Sequence, residues 1–283
     1  MSDIHSFRQH AMATHYEVRI ANQEHSYAAK AAQAAFDLLD SLESQLSRFR
    51  ADSTIAHLTQ LTPGEQMRLP EPVFDCLAIS REMELATRGA FSVSAAALQM
   101  QPAPPQWSLL PGELSIQCER GRLEFDLGAI GKGFALDRMA ALLSEWDCDA
   151  FLLVAGGSSI LAGSPPDALP GWSCGLGDDN ASQRLLLQHA SLSGSGLTVK
   201  GSHILDPHTG RSAQRQHRAW ALTDTAAESD ALSTACMVLT EEEITAILHP
   251  RPFWLVFLEE EQLARPIGNR PMPPSPDVQT KGH

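Results

Sequence analysis

The sequence predicts a mixed α/β fold in which strands and helices alternate along the chain. Near the N-terminus, the alternating apolar residues Tyr16, Val18 and Ile20 indicate a half-buried strand, and a long apolar stripe at helical spacing follows it. The same succession returns in mid-chain, where an apolar stretch leads into a glycine-rich turn and another helical pattern. With 283 residues, 43% of them hydrophobic, the chain is long enough to bury one large domain or two interlocked lobes.

The first part of the chain predicts two helices and a connector. Apolar residues at helical spacing over 28–46 predict an amphipathic helix of about five turns that ends near Ser47. A second helix is predicted over 73–87, and Gly89 suits the left-handed conformation that is common just past a helix end. The proline-rich segment 101–107 is expected to be an irregular connector, because proline lacks an amide proton and disfavours helix at the residue before it.

The second part predicts strands around a glycine-rich turn. Strands are expected over 114–117 and 122–127, separated by the polar turn 119–121, and the second strand runs into a helix that begins near Gly133. Further strands are expected over 151–154, 185–187, 219–223 and 253–257. Residues 1–265 are expected to form a single domain, and 266–283 to be an extended or disordered tail.

Composition argues against several classes of protein. The formal net charge of -13 disfavours a nucleic-acid binder, which needs a basic surface. No apolar run reaches the roughly 18 residues of a membrane-spanning helix, and the first ten residues lack the pattern of a secretory signal, so a cytoplasmic protein is expected. The five cysteines include no Cys-x-x-Cys pair and the eleven histidines no His-x-x-x-His pair; reduced thiols are therefore expected, and zinc is not.

The segment Asp126-Leu-Gly-Ala-Ile-Gly-Lys-Gly133 places a glycine-rich turn between a predicted strand and a predicted helix. It matches neither the Walker A spacing nor the Gly-x-Gly-x-x-Gly pattern. The backbone amides and dipole at a helix start favour an anion, and this turn is flanked by a carboxylate, Asp126, and an ammonium, Lys132. Asp126 can accept hydrogen bonds from a nucleotide, and Lys132 can bind a phosphate. The alternative interpretation is a turn that needs glycine only for close packing.

The segment 229–238 carries the argument for a metal. If it is helical, Asp230 and Thr234 lie one turn apart on one face, with Ser233 beside them. A carboxylate and a hydroxyl at this spacing suit a hard cation such as Mg²⁺, which prefers oxygen ligands and is usually completed by substrate phosphates. The alternative interpretation makes Asp230 a helix N-cap that accepts a hydrogen bond from a nearby amide.

The segment His203-Ile-Leu-Asp-Pro-His-Thr-Gly210 has the sequence of a strand end followed by a turn. Such a turn alone indicates no function, and a lone histidine such as His203 is more often structural than catalytic.

Taken together, the motifs of this chain resemble those of the ApbE family of FAD:protein FMN transferases. They agree with the family in order and approximate spacing across about residues 12–240, which is most of the chain. The matching segments are Met12-Ala-Thr14, Ser47-Arg-Phe-Arg-Ala-Asp-Ser53, Gly89-Ala-Phe-Ser-Val-Ser94, Asp126 to Gly133, Gly156-Gly157, His203 to Gly210 and Ser229 to Thr234.

This resemblance implies a fold, a reaction and its cofactors. The implied fold is α+β and ApbE-like, also described as T-fold-like, with two interlocked α/β lobes and the active site between them. The implied enzyme depends on Mg²⁺ and cleaves the pyrophosphate of FAD. It attaches FMN by a phosphoester bond to a Thr or Ser of an acceptor protein and releases AMP.

The resemblance also implies roles for individual residues. Ala129, through its carbonyl oxygen, Asp230 and Thr234 are the implied metal ligands. The implied catalytic residues are Asp230, Lys132 and His203, with His203 assisting proton transfer from the acceptor hydroxyl. The implied contacts to FAD are Met12, Phe49, Ala90, Phe91, Ser92, Asp126, Lys132 and Ile204.

The chain departs from the family pattern at several positions. Ala13 stands where the family has glycine, Ser92 where it often has aspartate, and Ser158 and Ser159 follow the Gly-Gly turn where aspartate or asparagine is usual. We expect these changes to alter the affinity for FAD more than to abolish the chemistry. The alternative functions are an FAD-binding carrier, an FAD pyrophosphatase without acceptor transfer, and a relative that has lost flavin.

Overall fold

The computed structural model describes residues 3–167, 169–177, 183–196, 204–213, 215–261 and 263–276. The helices are α1 (His25–Leu46), α2 (Thr54–Leu58), α3 (Glu71–Ala86), α4 (Gly131–Glu145), α5 (Ala226–Cys236) and α6 (Glu241–Leu248). The strands are β1 (Ile4–Ala11), β2 (Thr14–Ala21), β3 (Gln66–Arg68), β4 (Gln106–Leu110), β5 (Ser115–Arg120), β6 (Phe151–Ala155), β7 (Ser159–Ala162), β8 (Trp172–Gly175), β9 (Arg184–Leu187), β10 (Ala190–Gly196), β11 (Arg218–Thr223), β12 (Leu255–Glu260) and β13 (Leu263–Gly268).

A large antiparallel sheet lies at the centre of the fold, with the strand order β1-β2-β6-β7-β10-β11-β12-β13. Helices α4 and α5 pack on this sheet, and α1 packs on α4 and β1. Two smaller antiparallel sheets, β3-β5-β4 and β8-β9, complete the architecture. Helices packed on an antiparallel sheet define an α+β fold, which confirms the expected class.

The large sheet separates two hydrophobic cores, because successive side chains of a strand point to opposite faces. Leu153 and Val256 belong to the larger core, on the side of the helices. Their neighbours Leu152 and Phe257 belong to a smaller core, which Trp172 of β8 helps to close. Both faces of the sheet are therefore covered, and the helices lie on one of them.

The early elements follow the predicted pattern closely. Tyr16, Val18 and Ile20 are fully buried on one face of β2, α1 covers the predicted helix over 28–46, and α3 covers most of the helix predicted over 73–87. Gly89 follows α3 with φ +82°, the left-handed conformation expected of it. The five cysteines are buried free thiols. In the part of the chain that the structure describes, no helix combines the length and apolarity needed to cross a membrane.

The strand predicted over 122–127 is wrong. In the part of the chain that the structure describes, this segment joins no sheet, and β5 pairs instead with β4, which begins at the end of the expected connector 101–107. The alternating apolar residues Leu123, Phe125 and Leu127 serve packing, since all three are buried and the Phe125 ring meets that of Trp107 edge to face. The alternating pattern thus identified the buried side chains correctly. The segment 122–127 is nevertheless no strand, because β4 takes the place beside β5.

At the other end of the chain, β13 continues to Gly268, so the expected boundary at residue 265 falls inside a strand. Pro266 lies opposite Phe257 in this edge strand, a position where a missing amide proton is tolerated. Residues 269–276 follow without helix or strand, and the Pro274 carbonyl accepts a hydrogen bond from the Leu186 amide at 2.8 Å.

Candidate active site

The candidate site is centred on the carboxylate of Asp230, in the middle of α5. Asp230 is only 3% exposed, an unusual position for an ionisable side chain without a partner. The helix begins at Ala226 and its N-cap is Thr225, whose hydroxyl accepts a hydrogen bond from the Glu228 amide at 3.4 Å. The interpretation of Asp230 as an N-cap is therefore wrong, and its carboxylate has another reason to be buried.

Three groups from outside α5 donate hydrogen bonds to this carboxylate. The Lys132 ammonium lies 3.1 Å from Oδ1 and 3.0 Å from Oδ2. The Gly133 amide donates to Oδ2 at 3.1 Å, and the Ser159 hydroxyl donates to Oδ1 at 3.0 Å. The charge of Asp230 is thus balanced by Lys132, and both of its oxygens are hydrogen bonded.

The Gly-Lys-Gly sequence at the start of α4 makes this arrangement possible. A Cβ on Gly133 would collide with the Ala226 carbonyl, so only glycine allows α4 to approach the first turn of α5 this closely. The Gly133 amide is one of the helix-start amides that have no partner within their own helix, and it donates to Asp230. The close-packing and ligand-binding interpretations of the glycine segment are therefore compatible.

The oxygen atoms around Asp230 suit a hard cation. Thr234 lies one turn further along α5, and its hydroxyl is 3.2 Å from both the Asp230 carbonyl and the Ser195 hydroxyl. The Ala129 carbonyl accepts no hydrogen bond from any residue that the structure describes, because the Gly133 amide, its expected helical donor, bonds to Asp230. The carboxylate of Asp230, the hydroxyl of Thr234 and the carbonyl of Ala129 are all oxygen donors, the type of ligand that Mg²⁺ prefers.

Asp126 and Lys132 flank the glycine turn as predicted, but their partners differ. One Asp126 oxygen accepts a hydrogen bond from the Gly128 amide at 2.9 Å, and the other lies 3.4 Å from the Arg48 guanidinium. Lys132 points instead to Asp230, with the Gly128 carbonyl 3.4 Å from its ammonium. Asp126 therefore stabilises the turn and stays 40% exposed, whereas Lys132 belongs to the buried carboxylate.

The implied FAD contacts near the N-terminus lie on loops. Met12 and Ala13 form the turn between β1 and β2, with φ values of 48° and 57°. Both are left-handed, which explains why glycine suits position 13 and indicates strain in Ala13. Phe49, in the loop after α1, is 85% exposed and carries the Arg48 guanidinium 4.7 Å from its ring centroid.

The segment 89–94 lies against the turn that follows Ile204. The Cβ position of Gly89 would be 3.1 Å from the His208 ring, so these two segments are in close contact. Ala90 and Phe91 are almost wholly buried in the core, and the Ser92 hydroxyl accepts a hydrogen bond from the Ser94 amide at 3.2 Å. Ile204 is buried as well, and His203 lies outside the described residues.

Sequence reasoning missed the hydroxyl groups that hold α5 on the sheet. Ser191 and Ser193 of β10 each lie 2.8 Å from the Ser229 hydroxyl, and Ser195 lies 3.0 Å from that of Ser233. The signal was present in the sequence, since serines at alternate positions of a strand face serines one helical turn apart. The Ser159 bond to Asp230 was also missed, because position 159 was considered only as a departure from the family pattern.

Tyr16 is a further polar group associated with this corner of the molecule. Its hydroxyl donates to the Met12 sulfur at 3.2 Å. Burial, together with the negative charges of Asp230 and Glu43, raises the pKa of Tyr16 far above its usual value. The phenol therefore stays neutral across the physiological range and acts as a hydrogen-bond donor.

Comparison with known proteins decides the family. The model of the ApbE family matches residues 12–254, which is most of the chain. The chain belongs to the ApbE family. Among solved structures, this ApbE protein superimposes on the flavin transferase ApbE from Vibrio cholerae with a TM-score of 0.80 at 19% identity, covering 95% of this chain and 98% of that one. The flavinyl transferase ApbE from Pseudomonas stutzeri gives a TM-score of 0.79 at 20% identity and covers 95% of this chain and 96% of that one.

Curated relatives of this ApbE protein carry a functional name. An FAD:protein FMN transferase from Vibrio cholerae is 22% identical over 278 residues, which covers 83% of this chain and 81% of the relative. A protein of the same name from Escherichia coli K12 is 27% identical over 142 residues, which covers 44% of this chain and 40% of the relative. The structural matches establish the ApbE fold, in agreement with the resemblance found in the motifs.

Proposed function

We propose that the protein is a magnesium-dependent FAD:protein FMN transferase. It cleaves the pyrophosphate of FAD, joins FMN by a phosphoester bond to a Thr or Ser hydroxyl of an acceptor protein, and releases AMP. The observation that carries this proposal is the convergence of Lys132, the Gly133 amide and Ser159 on the buried carboxylate of Asp230. The name shared by the curated relatives supports the same activity.

Lys132 and the start of α4 bind the pyrophosphate in this proposal. The Lys132 side chain is 21% exposed while it pairs with Asp230, so it is not sealed off from solvent or from a ligand. A helix start adds amide groups and a favourable dipole, both of which stabilise negative charge. Phosphoryl transfer depends mainly on such positioning and charge neutralisation.

Asp230, Thr234 and the Ala129 carbonyl are the residues that would hold Mg²⁺. When bound, Mg²⁺ supplies Lewis-acid neutralisation of the charge that develops on the pyrophosphate oxygens. Asp230 would then share its charge between the ion and Lys132. The burial of this carboxylate strengthens both interactions, because water competes less for them.

The transfer step exchanges one phosphorus–oxygen bond for another. The acceptor hydroxyl oxygen bonds to the FMN phosphorus, while the bond from this phosphorus to the bridging oxygen breaks and AMP leaves with that oxygen. The hydroxyl proton passes to a general base, for which we propose His203. Phe49, Ser92, Asp126 and the backbone of the 89–94 segment contact FAD in this scheme, together with Met12 and Ile204. A cytoplasmic location stays a prediction.

The decisive experiment mixes the purified protein with FAD, Mg²⁺ and a candidate acceptor that carries a Thr or Ser site. We expect AMP release in equal amount to acceptor that is heavier by one FMN, and loss of both after EDTA treatment. Intact FAD with every acceptor would contradict the proposal in favour of a carrier. Free FMN at the same rate with and without acceptor would replace transferase activity by pyrophosphatase activity.

A further inference from the structure

The carboxylate of Asp137, in the interior of α4, caps a different helix. One of its oxygens accepts a hydrogen bond from the Ala226 amide at 2.7 Å, and the other accepts from the Ala227 amide at 2.8 Å. These are the first two residues of α5, and such amides have no partner within their own helix. The Thr225 hydroxyl caps only the third amide, that of Glu228. Two of the three capping hydrogen bonds at the start of α5 therefore come from α4.

Helix α4 therefore holds α5 in two places. Its first turn, through Lys132 and Gly133, bonds to the Asp230 carboxylate. Asp137 lies about one turn further along α4 and holds the beginning of α5, about one turn before Asp230. Gly133 also lies against Ala226, at a distance that leaves no room for a Cβ. The position of Asp230 relative to Lys132 depends on both attachments.

The surroundings of Asp137 are mostly acidic. Burial raises its pKa to about 6, more than its two amide hydrogen bonds lower it, and the negative charges of Glu228 and Asp230 add to the rise. Asp137 also lines a cleft of about 920 Å³ between α3, α4 and the start of α5. The titratable and charged residues that share this cleft are Asp75, Glu82, Arg138, Asp149, His189, Asp224 and Glu228.

We propose that Asp137 is a positioning residue for the Asp230 site. By fixing the start of α5, it sets the distance between the oxygen ligands on α5 and the ammonium of Lys132. The expected effect of Asp137 on catalysis rests on the proposed function. Its expected effect on the binding of a hard cation at Asp230 can be measured separately. A carboxylate is required because two neighbouring amides each need an acceptor oxygen, and the amide side chain of asparagine offers only one.

The test compares the whole wild-type protein with Asp137→Asn and with a matched control, Asp75→Asn. Asp75 lines the same cleft and pairs with Arg138 at 3.4 Å, but it is partly exposed, and among the described residues no hydrogen bond links it to α5. Mn²⁺ serves as the probe, and its dissociation constant is measured by electron paramagnetic resonance with FAD present. The thermal midpoint of each variant, its kcat and its KM for FAD are measured in parallel.

We expect Asp137→Asn to weaken Mn²⁺ binding by about 10-fold or more, the usual effect of losing a residue that orients a metal ligand. We also expect kcat to fall with little change in KM for FAD, and Asp75→Asn to match wild type in both. A lowered thermal midpoint with unchanged Mn²⁺ affinity and kcat would overturn the inference and leave Asp137 a structural cap. Wild-type protein that binds Mn²⁺ but transfers no FMN would contradict the proposed function alone.

A second variant covers the case in which Asp137→Asn does not fold. Asp137→Glu keeps the charge and both acceptor oxygens but lengthens the side chain by one methylene, which moves the start of α5. We expect weaker Mn²⁺ binding than in wild type, since the length of the link matters. Wild-type affinity in a folded Asp137→Glu protein would overturn the inference.

Discussion

The corner around Asp230 and the loop around Phe49 are both part of the proposed FAD site but are built in opposite ways. The Asp230 carboxylate is buried on a helix and hydrogen bonded by Lys132, Gly133 and Ser159, whereas the Phe49 ring is 85% exposed on a loop. Buried polar groups on rigid helices hold their geometry, and exposed loop residues can adapt to a ligand. We infer that the chemistry depends on the corner and that the loop contributes mainly affinity for FAD.

The largest effect is expected from Asp230→Asn. Asparagine keeps the shape of the side chain but removes the charge that Lys132 and a divalent cation both need. Turnover should fall by more than about 100-fold, because the proposed metal ligand is lost outright. AMP release is the measurement, with Asp224→Asn as the control, because Asp224 is exposed and forms an ion pair with Arg270 at 2.9 Å. Equal rates in wild type and Asp230→Asn would contradict the proposed metal site on α5.

Lys132→Met is expected to cause a smaller loss of turnover, accompanied by a loss of stability. The Asp230 carboxylate would keep two hydrogen bonds but lose its cation, so unfolding should become easier by about 1–3 kcal/mol, measured by urea denaturation. Without FAD, Mn²⁺ should bind more tightly than to wild type, because the ammonium no longer competes for the carboxylate. Turnover should fall all the same. Lys132→Arg, which keeps the charge, is the control, and weaker Mn²⁺ binding by Lys132→Met would contradict the competition.

Phe49→Ala should affect FAD binding and leave the fold unchanged. Loss of one aromatic contact is worth about 1–1.5 kcal/mol, so KM for FAD should rise about 10-fold while kcat changes little. The free energy of unfolding should stay within about 0.5 kcal/mol of wild type, because the ring is exposed. Phe253→Ala is the matched control, since Phe253 is also an exposed aromatic residue. A fall in kcat with unchanged KM would place Phe49 in the chemistry instead.

The smallest effect, on stability, is expected at Glu17, on the face of β2 opposite its buried residues. Burial raises its pKa, but hydrogen bonds from Arg19 and Ser6 and the charge of Arg8 outweigh this and lower it from 4.5 to about 2. A lowered carboxylate pKa stabilises the fold above about pH 4.5, and this contribution is lost as the pH falls toward 2. The difference in urea midpoint between wild type and Glu17→Gln should therefore be largest near pH 7 and vanish toward pH 2.

The stability contributed by Asp137 should depend on pH in the opposite direction to that contributed by Glu17. One pH titration of the urea midpoint therefore distinguishes the two residues. Its pKa is raised from 3.8 to about 6, so its contribution to stability is greatest below pH 4 and is lost as the pH rises through 6. The urea midpoint of Asp137→Asn should vary less than that of wild type between these pH values. A Glu17→Gln difference that persists at pH 2 would show that Glu17 acts through packing and not through its charge.

Several elements could be predicted because their information is local. Helical spacing over 28–46 and strict alternation at Tyr16, Val18 and Ile20 identified α1 and β2 directly. The strand predicted over 122–127 was wrong because alternation reports which side chains are buried and not which backbone is paired. The strand that pairs with β5 is β4, and β4 begins inside the proline-rich segment 101–107, which was expected to be irregular.

By itself, the sequence determined the family, the α+β class and the pairing of Asp230 with Thr234 on one helix, because motif order and helical spacing are properties of the chain. Only the tertiary structure decided what surrounds Asp230. Lys132, Ser159 and Asp137 are far from α5 in sequence, and no spacing rule relates them to it. Their convergence results from the way α4 packs against α5, at a distance set by the absence of a side chain at Gly133.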